Sequence, residues 1–268
     1  AKKIFDQKLE EEPWFGLEQE YFFVDKINKI WPIIYTQSNS HASRFEKLGA
    51  LSEKIECVGS VKFDIDHNAE ETFFKNNKPF ILAASTHAGE DEIIIDAYKK
   101  IVKENPGIGL VIAPRHPERA FAIKKLFDKS NLNARILEEV PIDIANKSIE
   151  IIQGTGMLRE LYSKAQFAFV GGSLFQSNGG HNIIEPAFER CPFIVGPHMH
   201  NFQDILKLFV DEDACLQIDK NLDVLSGFKD LLNNNGLREN MSSKAFEICL
   251  KNKGSTDKQC SGIIEMIN

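Results

Sequence analysis

From residue 33 onward, short apolar runs alternate with stretches of helical periodicity. "FILAAS" (80–85) and "GIGLVIAP" (107–114) are near-continuous apolar runs bounded by polar loops. Strands buried on both faces of a parallel sheet have that pattern. "IIYTQS", "FAFVGGS" and "PFIVGP" are further short runs of this kind, and "IECVGSVKFD", "ARILEE", "IEIIQ" and "ACLQI" are weaker strand candidates. Between them, "SHASRFEKLGA" predicts a helix with Ser38 or Ser40 as N-cap and Gly49 as its stop. "EDEIIIDAYKKIVKEN", "PERAFAIKKLFDKSN", "GMLRELYSKA", "NIIEPAFER" and "NFQDILKLFVDE" predict further helices, and the chain after "ACLQI" reads as helical. Such alternation implies βαβ units, hence an α/β, Rossmann-like fold with a mostly parallel sheet. Residues 1–34 break the pattern: "KKIFDQKLEEEPWFGLEQEYFFVDKINKIWP" is charged and aromatic and carries Pro13 and Pro32. The expected organisation is an atypical segment over 1–34 and one α/β domain over 35–268.

Ligands of open α/β sheets bind at the carboxyl ends of the strands. The loops that leave strands are therefore the informative ones: "STHAGE", "PRHPER" and "GGSLFQSNGGHN". Arg115 and His116 directly follow a buried strand, with Pro117 and Glu118 suited to the first turn of the next helix. The planar fork of Arg115 suits a phosphate. Ser85 and Thr86 end another strand, and Gly89 permits close backbone approach. The acids Glu90, Asp91 and Glu92 are fully accounted for by a helix dipole, and His87 reads as structural or functional.

The third loop raises the sharper question. Gly171-Gly172 make a tight turn off a strand, Gly179-Gly180 let a second backbone segment come close to a ligand, and Asn182 suits an N-cap. A helix starting near Asn182 would offer free N–H groups to an anion. Glu185 would repel a phosphate there, so its better role is accepting hydrogen bonds from two sugar hydroxyls. The chemistry suggests a nucleotide at a helix N-terminus, although the dinucleotide fingerprint G-x-G-x-x-G is absent.

Composition narrows the classes. A net charge of −7 gives no support to general nucleic-acid binding. Cysteines stand at 57, 191, 215, 249 and 260 with no C-x-x-C pair, which disfavours a zinc ribbon or a secreted disulfide framework and suits reduced thiols. No apolar run approaches the ~18 residues of a membrane-spanning helix. His181, His198 and His200 lack a firm set of partners, so no metal site is expected. The 20 phenylalanines read mostly as core.

The stretches "STHAGE", "PRHPER", "GMLRELY", "FVGGSL", "GGHNIIEPA" and "GPHMHNF" occur in the order and spacing of the C-terminal half of the Kdo transferase family. Kdo is 3-deoxy-D-manno-octulosonic acid. Over roughly residues 35–265 the chain resembles that family. The resemblance implies the C-terminal, donor-binding domain of a GT-B glycosyltransferase. It implies CMP-Kdo as donor, with Pro114 and Arg115, then Thr155, Gly156 and Met157, then Asn182, Ile183, Ile184 and Glu185 as CMP contacts. Ser85, His87, His116, Gly179 and Gly180 would support the donor site. The implied reaction transfers Kdo to a lipid A precursor in lipopolysaccharide biosynthesis, at the cytoplasmic face of the bacterial inner membrane, without metal or other cofactor. The family's carboxylate base and membrane-associating surface lie in an N-terminal domain that nothing in residues 1–34 resembles. The expectation is therefore no catalytic residue in this chain, which alone would be soluble, bind CMP weakly and transfer nothing. Two other readings remain open: a different GT-B protein such as a UDP-sugar transferase or epimerase, or a non-catalytic nucleotide-binding module.

A second, short likeness lies at about residues 2–24, where "IFDQKLEEEPWFGLEQEYFFV" resembles glutamine synthetase. There the glutamates of "EQE" hold catalytic metal. Glu18 and Glu20, two apart, would face one side of a strand. A metal wants more oxygen ligands than two, and nothing else in the chain resembles that family. A fusion or a coincidental strand is the expected origin.

Overall fold

A computed structural model describes residues 33–65, 80–139, 148–220 and 223–267, with the backbone of two further short strands. Those strands, β1 (Trp14–Phe15) and β2 (Tyr21–Phe22), pair antiparallel with Trp14 opposite Phe22. Glu18 and Glu20 lie outside the described residues. Every apolar run past residue 33 that reads as a strand is a strand. The chain divides into two compact units, Ala1–Ile65 with Asn252–Asn268, and Asp66–Lys251.

In the first unit, β3 (Ile34–Thr36) and β4 (Ile55–Cys57) pair in parallel, connected through α1 (Asn39–Lys47). Ser38 is the N-cap, its Oγ accepting the His41 N–H at 3.3 Å. The helix Ser255–Ile267 is tied to residues 59–64 at its start. Asp64 accepts the N–H groups of Gly254 and Thr256, each at 2.6 Å, and the Ser255 hydroxyl donates to the Gly59 carbonyl at 2.7 Å. Partial burial works against the Asp64 carboxylate, but the bonds from Thr256 and Gly254 hold its pKa below the usual carboxylate range.

The second unit is built on β5 (Phe80–Thr86), β6 (Gly109–Pro114), β7 (Arg135–Leu137), β8 (Ile149–Ile152), β9 (Phe167–Val170), β10 (Phe193–Val195) and β11 (Leu216–Gln217). They form one sheet in the order β11-β10-β9-β5-β6-β8-β7, with every pairing parallel. Its helices are α2 (Glu90–Glu104), α3 (Ala120–Lys129), α4 (Leu158–Lys164), α5 (Ile184–Phe188), α6 (Gln203–Val210), α7 (Val224–Asn233) and α8 (Asn235–Lys251). The central strands are buried throughout, which explains their near-continuous apolar sequence. α2 lays Ile94, Ile95, Tyr98 and Ile101 on the sheet, and the Tyr98 hydroxyl donates to the Ile108 carbonyl at 2.9 Å. Each such fully buried large side chain contributes about 1.5–3 kcal/mol. Burial is not purely apolar: Glu150 on β8 is fully buried and accepts from Arg135, its register partner on β7.

Four helix starts fall later than the sequence predicts, among them α6, which begins at Gln203 behind a 3-10 turn over His200–Phe202. Pro117–Arg119 form a 3-10 turn ahead of α3, α4 begins at Leu158, and α5 begins at Ile184 and holds only five residues. Strand order places the loops. The chain builds outward from β5 through β6, then returns to lay β9 on the other side of β5. The reversal lies between β5 and β9, and open α/β sheets bind ligands at the carboxyl ends of strands beside such a switch point.

Candidate functional site

The residues expected at the site come from the carboxyl ends of four neighbouring strands, β9, β5, β6 and β8. From β5 come Ser85, buried at φ 54°, and His87. From β6 come buried Pro114 and exposed Arg115 and His116. From β8 come Thr155 and Gly156, both exposed, and Met157 ahead of α4. From β9 come the glycine pairs, His181, and Asn182 to Glu185.

The buried acids Glu90 and Asp91 hold this edge together. Glu90 is fully buried, and its carboxylate accepts four backbone N–H groups: His87 at 2.9 Å, Gly172 at 2.7 Å, and Ser173 and Leu174 at 3.0 Å each. An ionised carboxylate has acceptor capacity for all four. It thus clamps the loop after β5 to the loop after β9. Asp91, also fully buried, pairs with Arg119, which donates as well to the Thr86 carbonyl at 2.9 Å. Burial pushes the Asp91 carboxyl up, and the charge of Arg119 works against that shift. The helix-dipole reading of these acids is corrected for Glu90 and Asp91: they lie on the same helix face as Ile94, Ile95 and Tyr98. Only Glu92 is exposed.

The glycine reading is corrected too. The space the glycines leave is used by the protein itself. A Cβ on Gly171 would lie 2.6 Å from the Ser85 carbonyl oxygen and 2.9 Å from Glu90 Oε2. Gly179 would meet His200 and Asn201, and Gly180 would meet Met199. Gly172, at φ 67°, leaves room for a histidine pair.

That pair is His87 and His181, whose Nε2 atoms are 2.7 Å apart, with rings nearly parallel at 7° and centroids 5.0 Å apart. The His116 ring stands edge-on to His87, with centroids 5.8 Å apart. Burial, then the charges of His87, Arg115 and His116, push the His181 pKa down to about 4. His87 is lowered by burial and by His116, Arg119 and Arg115, with Asp91 opposing. The Arg115 charge and three imidazoles converge here, groups that suit an anionic ligand.

Asn182 acts locally. Its Oδ1 accepts the Ile184 N–H at 3.1 Å, and its Nδ2 donates to Glu185 Oε1 at 3.1 Å. The helix end expected to receive an anion is therefore weak: α5 is short, the Ile184 N–H is already bonded, and Pro186 has none. Glu185 is half-buried and held facing Asn182.

His198 and His200 line a cavity of about 430 Å³ with Gln203, Lys207 and Gln217. Among the described residues, no group of three or more His, Cys, Asp or Glu side chains is placed to hold a metal ion. Burial pushes up the thiols of Cys191 and, to about 12, Cys215, so neither is a reactive thiolate. No helix among the described residues is long and apolar enough to cross a membrane.

Sequence reasoning singled out Arg115, His116 and the loop after β9, which the structure places at neighbouring strand ends. It missed Glu90, Asp91 and Arg119. The signal for the acids was their spacing ahead of Ile94 and Ile95, which continues the apolar stripe of α2 back to its first residues.

No family model matches the chain. It is 32% identical over 237 residues to a 3-deoxy-D-manno-octulosonic acid transferase of Haemophilus influenzae, covering 84% of this chain and 55% of that protein. The enzyme of the same name from Rickettsia conorii is 30% identical over 83% of this chain and 48% of its own length. The chain thus spans about half the length of these relatives. Among solved structures, the C-terminal CMP-Kdo binding domain of WaaA from Acinetobacter baumannii is 31% identical, with a TM-score of 0.60, covering 64% of this chain and 89% of that one. A glycosyltransferase from Rickettsia africae, 14% identical with a TM-score of 0.57, covers 88% of this chain and 64% of its own, and shares the fold.

Proposed function

The chain belongs to the 3-deoxy-D-manno-octulosonic acid transferase family, and from that premise we propose that it holds the sugar donor CMP-Kdo for transfer to a lipid A precursor. On this reading, residues 35–268 are the C-terminal domain of a GT-B transferase, and residues 1–34 are an additional segment outside the family resemblance. The setting is lipopolysaccharide synthesis at the cytoplasmic face of the inner membrane.

The observation that carries the reading is the convergence of Arg115, His116, His87 and His181 at the sheet's topological switch point. A nucleoside monophosphate placed there would meet the Arg115 guanidinium and imidazole N–H groups at its phosphate. Pro114, Thr155, Gly156 and Met157 would border the base and sugar, and Asn182 to Glu185 would hold the ribose. Glu185, oriented by Asn182, would accept from the ribose hydroxyls.

In the reaction, an acceptor hydroxyl attacks the anomeric carbon of Kdo. The bond from that carbon to the phosphate oxygen breaks, and its electron pair leaves with CMP. The phosphate goes from one negative charge to two, so fixed positive groups favour the departing state over the ground state. No residue of this chain is assigned as the base that takes the acceptor's proton.

Titration of the protein with CMP and with UDP tests the reading. CMP should bind more tightly. A preference for UDP would favour a UDP-sugar enzyme, and equal or absent binding of both would contradict the proposal.

A further inference from the structure

Assuming that donor site, we propose that His87 and His181 form a proton-linked anion receptor, which takes up one proton as the nucleotide's phosphate binds.

An Nε2–Nε2 separation of 2.7 Å is a hydrogen bond, so one ring donates and the other accepts. It is too short for two ligands of one zinc ion, whose nitrogens at about 2.0–2.1 Å from a tetrahedral centre lie roughly 3.3 Å apart. A neutral pair offers a ligand one Nδ1–H and one bare Nδ1. With one added proton, the inner hydrogen bond survives and both Nδ1 atoms become donors, the state an anion selects.

The pair is held in place by its surroundings. Glu90 Oε2 accepts the N–H of His87 and the N–H of Gly172, so one oxygen fixes both loops. A Cβ at Gly172 would come within 2.8 Å of His181 Cδ2 and 2.9 Å of its Nε2. Any side chain there would displace the ring.

Among the described residues, the charges facing the pair are mostly positive. Arg115, His116 and Arg119 face it from the β6 side. Asp91 is paired to Arg119, and Glu90 is consumed by its backbone bonds. Glu118 lies 3.7 Å from His116 and is exposed. Burial and neighbouring cations favour the neutral pair, and a bound phosphate would offset that penalty.

Isothermal titration of the full chain with CMP at pH 7, in buffers of differing ionisation enthalpy, counts the protons. Most CMP phosphate is already a dianion there, its second pKa being about 6. Uptake of roughly half a proton or more per CMP is expected. His87→Asn and His181→Asn should abolish that uptake and weaken CMP binding about tenfold or more, with cytidine binding unchanged. Uptake near zero in the unaltered protein, or variants that keep full CMP affinity, would overturn the inference and leave the donor site standing. Failure of both CMP and cytidine to bind would overturn the donor site and the inference together. The proton count on the unaltered protein decides the matter even where a variant fails to fold.

Discussion

Glu90 Oε2 accepts the backbone N–H of Gly172 at 2.7 Å, joining two loops separated by 82 positions in sequence. Three more N–H groups converge on the same buried carboxylate. Glu90→Gln replaces one acceptor oxygen with an N–H₂ donor facing buried backbone donors. We expect it to destabilise the protein by about 2–5 kcal/mol, since leaving each such group unsatisfied costs about 1–3 kcal/mol. Thermal or urea unfolding measures this. A variant as stable as the parent would show that the clamp is not needed.

Asp91 and Arg119 make the second buried link. Arg119→Met should be strongly destabilising, by about 3–5 kcal/mol, because it strands a buried carboxylate. Adding Asp91→Leu should recover much of that loss, because the uncompensated charge is gone. A double variant no better than the single one would place the cost in lost packing of the arginine.

Stability should depend on pH through the histidines. A His whose folded pKa lies below its unfolded value binds more protons when unfolded. The stability it supports is complete above about 6.5 and lost as pH falls through the folded value. For His181 that window runs from about 6.5 down to about 4. Asp64, with its lowered pKa, adds a loss of the same sign at more acid pH. Unfolding midpoints measured from pH 7.5 to 4.5 should fall, and His181→Asn should flatten the upper part of the curve. An unchanged slope in that variant would refute the assignment.

Two side chains should separate phosphate from ribose recognition. Arg115→Ala is expected to weaken CMP binding by about 10- to 100-fold, the worth of a hydrogen bond to a charged group, and to leave cytidine unaffected. Glu185→Ala should weaken CMP similarly and erase any preference for CMP over 2′-deoxy-CMP. Calorimetric titration with these ligands checks both. Identical losses for CMP and cytidine in Arg115→Ala would remove Arg115 from the phosphate.

The fold was largely legible because burial on both faces leaves a plain mark. "FILAAS" and "FAFV" could hardly be anything but inner strands, and they are. The strand-end rule then pointed at Arg115 and His116 without any knowledge of contacts. Long-range polar partnership was not legible. Glu90 looks like any helix-start acid until the loop from β9 is seen folded onto it. His87 and His181 lie 94 positions apart, and no local pattern pairs them. The glycines suggested ligand clearance by themselves, because sequence shows where a side chain is missing and not what fills the space. The five-residue length of α5 was hidden for a similar reason: "NIIEPAFER" has helical periodicity from its first residue, but the Asn182 side chain bonds the Ile184 N–H ahead of the helix.

The central claim is that the nucleotide sits where β9, β5, β6 and β8 end. Backbone amide chemical-shift mapping with CMP tests it most directly. The largest shifts should fall at residues 85–90, 115–116, 155–157, 171–174 and 181–185. Shifts concentrated elsewhere, for instance around the cavity lined by His198, His200 and Lys207, or no shifts at saturating CMP, would contradict it.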